Sequence, residues 1–252
     1  AEVPAPTPAR ADPDRPWRVV IDAGHGGRDP GTVGRRSREK DIALSIATEL
    51  ARRLEAVPGF VPVLTRDGDE FVRVRDRPRF AVEREGDLFL SIHANSAPSR
   101  SAYGYETYFL GLARTEEARQ VAMRENAAME LEEGHDPAAT DDLQFILAGL
   151  DRNENLLESR RFAGYVQNGL RQARGRDGDR GVKQGPYWVL LGALTEMPSI
   201  LVEVGFVSNA QEERVLRSRD GQTRIARALA EAIEGYRADL VRRVQTASQS
   251  SR

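Results

Sequence analysis

The sequence predicts an α/β fold, a single domain with a mixed, mostly parallel sheet of strands flanked by helices. Short apolar runs of strand length alternate with stretches in which apolar residues recur every three or four positions, as in amphipathic helices. The order strand, helix, strand, helix, strand is typical of parallel sheets that are covered by helices. The 252 residues are enough chain for one such domain with a sizeable core.

The first half of the chain supplies this alternation. The first strand is apolar and β-branched at Val19, Val20 and Ile21, and the first helix carries apolar residues at four-residue spacing from Ile42 onward. Glycine, proline or polar turns separate the successive elements. The predicted strands cover residues 17–22, 60–66, 87–95 and 103–110, and the predicted helices begin after Ser37 and at Arg75.

The second half begins with a helical region. Residues 113–174 contain two or three helical stretches and no convincing strand, with one helix over 116–133 and a break near 152–155. Strands resume at the apolar segment SILVEVGF, residues 199–206. A short acidic helix capped by Ser208 and Asn209 and a final amphipathic helix are predicted after it.

Composition narrows the classes of function. A formal net charge of −2 gives no indication of nucleic-acid binding. With no cysteine, the chain has no disulfides, thiolate metal sites or cysteine nucleophile, and no apolar run reaches the ~20 residues of a membrane span. Residues 1–16, rich in Ala and Pro, are predicted to be a disordered linker, residues 17–245 the folded domain, and residues 246–252 a frayed polar tail.

A histidine lies where the first strand meets a glycine-rich turn. The sequence VVIDAGHGGRDPG places His25 at the carboxyl end of a buried strand, with glycines that permit a tight turn on both sides. Open α/β sheets carry their chemistry at this end of their strands. His25 is therefore a candidate functional residue, and the alternative is a loop histidine that caps the turn.

Three further ionisable residues have equivalent positions. His93 ends the third strand, Glu203 stands late in SILVEVGF, and Glu39 begins the helix that follows the glycine turn. Ends of parallel strands lie at one edge of a sheet, so these groups can converge despite their separation in sequence. The alternatives are a helix-start carboxylate for Glu39, favoured by the helix dipole, and a core carboxylate paired with an arginine for Glu203.

Two imidazoles and a carboxylate are a common ligand set for a catalytic zinc that keeps its fourth position for water. Such a zinc lowers the pKa of its bound water to about 7. Glu203 is then the candidate that takes the proton of this water and passes it to a leaving amine. Asp22 is a candidate for orienting His25 through its other ring nitrogen, or for capping the turn.

Four segments carry a resemblance to a known family: DAGHGGRDPG, REKDIAL, DLFLSIHAN and PSILVEVGFVSN. They resemble the zinc-dependent N-acetylmuramoyl-L-alanine amidases of the cell-division type, the amidase_3 family. The resemblance implies one Zn²⁺ held by His25, Glu39 and His93, a catalytic Glu203, and a sheet of about six strands. It also implies a periplasmic or other cell-envelope enzyme that cuts peptidoglycan between N-acetylmuramic acid and L-alanine during daughter-cell separation.

The helical region over about 113–176 is interpreted as an insertion that inhibits the enzyme. In septal members of the family, a helix of this insertion lies over the zinc until an activator with a LytM-type domain displaces it. Residues 141–161 resemble that segment, and Glu154 is the candidate for closing the fourth zinc position, with Glu158 as the competing choice. The alternative places Glu154 on a solvated helix face.

Two other functions remain open from the sequence. One is a zinc peptidase that acts on stem peptides, and the other is a catalytically silent module that binds peptidoglycan or acts as a scaffold. The presence of all four candidate residues, His25, Glu39, His93 and Glu203, favours an enzyme, because a module that only binds has no need of Glu203. No dimerisation stripe is evident, so a monomer is expected.

Overall fold

The sheet has six strands and places the candidate residues along one edge. The computed structural model describes residues 15–132 and 154–250, and the six strands are counted over these two ranges. The strands in chain order are β1 (Trp17–Ala23), β2 (Phe60–Leu64), β3 (Leu88–Asn95), β4 (Tyr105–Leu110), β5 (Asp179–Gly185) and β6 (Ser199–Phe206).

The strand order is β2-β1-β3-β6-β4-β5. Strands β2, β1, β3 and β6 run parallel to one another, whereas β4 is antiparallel to β6 and parallel to β5. Because of this reversal, the beginnings of β4 and β5 lie at the same edge as the carboxyl ends of β1, β3 and β6. We call this the active edge.

Helices cover both faces of the sheet. One face packs against the first, fourth and last helices, whose apolar residues join those of the strands in the larger core cluster. The other face is covered by shorter helices around Val20, Phe89 and Leu201. The helices are α1 (Glu39–Glu55), α2 (Asp76–Glu83), α3 (Glu116–Asn126) with a 3-10 helix at Ala127–Leu131, α4 (Glu154–Arg174), α5 (Trp188–Leu194), α6 (Ala210–Arg217) and α7 (Arg219–Ser250).

The predicted fold class is confirmed, but two elements were missed. Strand β5, with the sequence DRGVKQG, has one apolar residue and lies at the edge of the sheet, where little burial is required of it. Residues 188–194 form a helix that was not among the predicted elements, and its buried residues Leu190 and Leu194 belong to the core. Helix α7 continues to Ser250, past the predicted boundary at residue 245. No helix in the two described ranges is long and apolar enough to cross a membrane.

Helix α4 is part of the core. Its residues Phe162, Ala163, Val166 and Leu170 are fully buried and pack in the cluster shared with β4 and α7. A helix that contributes such residues cannot be displaced without opening the core, so the predicted regulatory insertion does not extend through residues 154–174 as a movable unit. Residues 141–153 of the predicted segment lie outside the described ranges.

Candidate metal centre

Four side chains converge at the active edge. One ligand atom from each of His25, Glu39, His93 and Glu125 lies within 4.8 Å of the other three. Glu39 Oε1 is 3.1 Å from His25 Nε2 and 3.0 Å from His93 Nδ1. Glu125 Oε2 is 3.3 Å and 2.8 Å from the same two nitrogens. The structure therefore brings together the three predicted metal ligands and adds a fourth carboxylate.

Local structure explains the position of Glu39. It is the first residue of α1, where the amide groups of the helix point toward an anion. Its Oε1 accepts a hydrogen bond from the Ala94 backbone N–H at 2.9 Å, and its Oε2 accepts one from Thr32 at 2.8 Å. These bonds fix the carboxylate in one orientation, with Oε1 directed at both imidazoles.

Gly24 permits the close approach of β1 to the His93 ring. A Cβ atom at this position would lie 2.5 Å from ring atoms of His93, too close for any real contact. Gly24→Ala is therefore expected to push the imidazole out of place and to weaken zinc affinity at least about tenfold, the lower bound for disturbed ligand orientation. Zinc titration against a chromophoric chelator measures this. Gly164→Ala is the control, because a Cβ there meets nothing within 4 Å, and equal affinities in both variants would contradict the prediction.

His25 is oriented by Asp29 and not by Asp22. Its backbone is in the left-handed region, at φ 59°, which turns the ring into the site. Its Nδ1 lies 2.8 Å from Asp29 Oδ2, so Nδ1–H donates to the carboxylate and Nε2 faces the cluster. Of the two alternatives for Asp22, the orientation of His25 is therefore wrong, because the Asp22 carboxylate is bonded to Arg77, Ser91 and Thr65.

Asp22 instead supports the loop through a buried ion pair. It accepts hydrogen bonds from Arg77 at 2.7 Å, Ser91 at 2.6 Å and Thr65 at 2.7 Å. Arg77 also donates to the carbonyl oxygens of Ala23 and His25, each at 2.8 Å. The pair therefore ties the turn that carries His25 to β3 and α2.

Asp22→Asn is expected to lower the free energy of unfolding by about 3–5 kcal/mol at pH 7, because Arg77 is left buried without its partner charge. Burial raises the pKa of Asp22, but Arg77 and the two hydroxyls outweigh it, and the net pKa is lowered. Stability from a lowered carboxyl pKa is present above the unfolded pKa of about 3.9 and is lost as the pH falls through the folded value. Urea unfolding should thus show the two proteins converging in acid. Asp41→Asn, at an exposed pair with Arg38, should change little, and a comparable loss there would contradict the prediction.

Glu203 lies next to the cluster on β6. It is fully buried and is the cross-strand neighbour of His93. Neither carboxylate oxygen has a hydrogen-bond partner among the described residues, so the arginine-paired alternative is not what the structure shows. Burial raises the pKa of Glu203 well above its usual value, and the nearby Glu125 and Glu39 raise it further. Such a group is set to accept and release a proton.

The residues fit a divalent metal of the zinc type. Burial alone would lower the pKa of each histidine, but the carboxylates outweigh it: the pKa of His93 is raised to about 10, chiefly by Glu125, and that of His25 is raised well above its usual value, chiefly by Glu39. This concentration of negative charge favours a cation. Nitrogen and carboxylate donors suit zinc. The four imidazole–carboxylate separations of 2.8–3.3 Å are close to the ~3.3 Å edge of a tetrahedron with ~2.0 Å bonds, and all the ligand atoms lie within 4.8 Å of one another.

Helix α3 covers the site. The cavity beside His25, His93 and Glu125 has a volume of about 20 Å³, which holds one water molecule and no larger group. The helix rests on small side chains, since its buried residues besides Glu125 are Ala118, Val121 and Ala122. Two polar contacts hold its end: Arg124 donates to Asn95 Oδ1 at 2.6 Å, and Asn126 donates to the Pro186 carbonyl at 2.8 Å.

Glu154, the residue predicted to close the fourth position, is not in the cluster. It begins α4, and the adjacent Asn155 donates to the Leu194 carbonyl at 2.9 Å, just before β6 begins. This is the opposite edge of the sheet from His93. The competing choice, Glu158, is buried against Arg243 and Tyr236 on the core side.

The sequence did carry a signal for Glu125. Ala118, Val121, Ala122 and Glu125 are spaced as the buried stripe of one helix, so the carboxylate occupies a position where an apolar residue is expected. A buried carboxylate needs a partner. Glu125 finds two imidazoles there.

Comparisons with known proteins agree with this geometry. A family profile described as N-acetylmuramoyl-L-alanine amidase (Amidase_3) matches residues 19–235. N-acetylmuramoyl-L-alanine amidase AmiC of Escherichia coli O6:H1 is 32% identical over 237 residues, which are 93% of this chain and 56% of AmiC. AmiA of Escherichia coli K12 is 33% identical over 224 residues, which are 86% of this chain and 75% of AmiA. The chain thus spans about half the length of the first of these relatives.

A solved structure shows the same fold. The catalytic domain of CwlV, an N-acetylmuramoyl-L-alanine amidase from Bacillus (Paenibacillus) polymyxa var. colistinus, matches with a TM-score of 0.66 and 31% identity, covering 89% of this chain and 99% of that domain. The family, enzyme class and fold predicted from the sequence are therefore confirmed. The chain belongs to the Amidase_3 family of N-acetylmuramoyl-L-alanine amidases.

Proposed function

We propose that this chain hydrolyses the amide between N-acetylmuramic acid and L-alanine in peptidoglycan, with one Zn²⁺ held by His25, Glu39 and His93. The observation that carries the proposal is the buried cluster of these three side chains beside Glu203, whose carboxylate has no hydrogen-bond partner among the described residues. Family membership supports the substrate class.

The protein groups divide the chemistry between them. Zinc, when bound, supplies a water of lowered pKa and an electrophile for the amide carbonyl. Asp29 holds the His25 ring, and the Ala94 and Thr32 amides hold Glu39. Glu203 takes a proton from the attacking water and delivers it to the amine of L-alanine as that amine leaves. Burial and the neighbouring carboxylates raise the pKa of Glu203 well above its usual value, which makes its carboxylate a stronger base than that of an exposed glutamate.

Helix α3, and not the segment around Glu154, is proposed to be the autoinhibitory element. Glu125 occupies the side of the cluster where water and substrate must enter, and the remaining space of about 20 Å³ cannot admit a muramoyl peptide. The buried side chains of α3 are smaller than those of α4, so displacing α3 exposes less apolar surface than displacing α4. An activator, of the LytM type by resemblance to the septal enzymes, would displace it during daughter-cell separation.

A location outside the cytoplasmic membrane follows from the proposed substrate. Homologous amidases, among them AmiC and AmiA, are named for a bond of the cell wall. The finer assignment to the periplasm and to the division septum belongs to the same proposal.

Product analysis tests the activity. Purified peptidoglycan is digested with the zinc-loaded chain and, in parallel, with the chain plus a chelator, and new amino termini are labelled. Free stem peptides with L-alanine at the amino terminus support the proposal. Cleavage within the stem peptide would establish a zinc peptidase instead. Binding to peptidoglycan without cleavage, also when α3 has been opened by an activator or by mutation, would establish a silent binding module.

A further inference from the structure

Two basic side chains on β5 face one buried carboxylate on β4. Glu106 is fully buried. It accepts hydrogen bonds from Arg180 Nε at 3.1 Å, from Asn95 Nδ2 at 2.6 Å and from Lys183 Nζ. The reaction described above uses none of these groups. One carboxylate against two cations leaves one positive charge in excess.

Helix α3 neutralises this excess through Glu117. Arg180 Nη2 contacts one oxygen of Glu117, and Lys183 Nζ lies 3.4 Å from the other. The Glu117 side chain is 51% exposed, whereas those of Arg180 and Lys183 are 26% and 19% exposed. When α3 is displaced, Glu117 leaves with it, and a partly buried basic pair remains without its second anion.

The basic pair and the metal centre lie on one line. Along the active edge, Glu203 of β6 is the cross-strand neighbour of His93 on one side and of Glu106 on the other, and β5 follows β4. Three strand spacings from β3 to β5 amount to about 14 Å. Glu117 and Glu125 are eight residues apart on α3, which is about 12 Å along a helix. Helix α3 therefore places one carboxylate at each end of this row.

We propose that Arg180 and Lys183 bind a free carboxylate of the stem peptide, and that Glu117 occupies this subsite while α3 is in place. The inference rests on the proposed amidase activity. The charged ends of Arg180 and Lys183 meet Glu106 on β4, two strand spacings or about 10 Å from β3. With the scissile amide at the metal centre, an extended peptide advances about 3.3 Å per residue and covers this distance in about three residues, so a carboxylate on the second or third stem residue lies within reach. Both positions can carry a free carboxylate, as glutamate and as diaminopimelate. A guanidinium beside an ammonium group suits such an anion.

The test compares soluble muramoyl tripeptides with the full zinc-loaded chain. The reference substrate carries D-glutamate and diaminopimelate, one analogue has the free carboxyl of the second residue amidated, and another has lysine at the third residue. We expect one analogue to raise the KM about 10- to 100-fold, the range for losing a hydrogen bond to a charged group. The analogue that does so identifies which carboxylate is bound. Equal KM values for all three substrates would overturn the inference.

Variants separate binding from a merely structural role. Arg180→Gln should raise the KM of the reference substrate to that of the discriminating analogue, with kcat little changed. Lys183 still pairs with the buried Glu106 in this variant. Arg180→Lys should restore part of the difference in KM between the two substrates. Glu117→Gln should lower the KM of the reference substrate more than that of the discriminating analogue, whereas loosening α3 alone would lower both equally. Arg176→Gln, at an exposed arginine in the turn before β5, should match the wild type.

A binding measurement keeps this inference distinct from the proposed activity. Fluorescence anisotropy of a labelled L-Ala-D-Glu-diaminopimelate peptide is measured with Glu117→Gln and with the double variant Glu117→Gln/Arg180→Gln. Tighter binding by the single variant supports the subsite even when no substrate is cleaved. Equal binding by the two variants would overturn the subsite and leave the amidase proposal standing.

Discussion

Replacement of Glu203 with glutamine is expected to lower the kcat of peptidoglycan hydrolysis by about 10²- to 10⁴-fold, the usual contribution of a general acid–base group. The variant keeps the shape of the side chain and leaves the three proposed zinc ligands in place. Zinc titration should therefore show one ion per chain, as in the wild type. Loss of activity with retained metal identifies the proton carrier.

The same substitution is expected to stabilise the metal-free protein at neutral pH. The pKa of Glu203 is raised on folding by burial and by neighbouring carboxylates. An acid with a raised folded pKa contributes less stability as the pH rises above its unfolded value, because the folded state must give up a proton it holds more tightly. Glutamine has no such cost, so its Tm should exceed that of the wild type at pH 7. A lower Tm and full activity would each contradict the assigned role.

Glu158→Gln is the matched control for a buried carboxylate outside the site. Glu158 accepts hydrogen bonds from Arg243 and Tyr236 on the core side of the sheet. Its replacement should lower the Tm, because it breaks a largely buried charge pair. Activity measured well below that Tm should be unchanged. Replacing Glu203 is thus expected to raise the Tm and lower activity, whereas replacing Glu158 is expected to lower the Tm and leave activity unchanged.

Replacement of Glu125 with alanine is expected to raise activity in the absence of an activator. The carboxylate blocks the cluster and fastens α3 through His25 and His93 at 3.3 Å and 2.8 Å. Without it, the helix keeps only its small apolar contacts and a few polar ones. A shift of at least about 1.4 kcal/mol toward the open state would raise the rate of dye release from labelled peptidoglycan about tenfold.

Glu130→Ala is the control for this experiment, because Glu130 is exposed on the 3-10 helix that follows α3. It should leave the rate unchanged. If Glu125→Ala instead loses zinc and activity together, Glu125 is an integral ligand and the blocking role is wrong. Zinc content is therefore measured on both variants before the rates are compared.

The positions of His25, Glu39, His93 and Glu203 could be predicted because each depends on local sequence and one topological rule. A polar residue at the end of an apolar run marks the end of a strand, and parallel strands bring such ends to one edge of the sheet. The sequence does not need to specify the loops between them for this argument to hold. The structure shows this convergence for His25, Glu39 and His93, with Glu203 beside His93 on the neighbouring strand.

Glu125, β5 and the role of α4 required the structure. Helical periodicity predicts which face of α3 is buried but not what that face covers, so Glu125 could not be distinguished from a carboxylate in a salt bridge. Strand β5 gains its place by pairing with β4, and an edge strand needs few apolar residues. Helix α4 has the same periodicity whether it packs in a core or over a cleft.

The row along the active edge takes one side chain from each of four adjacent strands, at His93, Glu203, Glu106 and Arg180. Side chains alternate between the two faces of a strand. Inserting a single residue within β6 or β4 would therefore move Glu203 or Glu106 to the opposite face of the sheet. An insertion in a connecting loop does not change the face on which a strand side chain lies. Sequence changes that preserve the metal centre are therefore expected in the connecting loops and on the free side of β5, one of the two edge strands of the sheet.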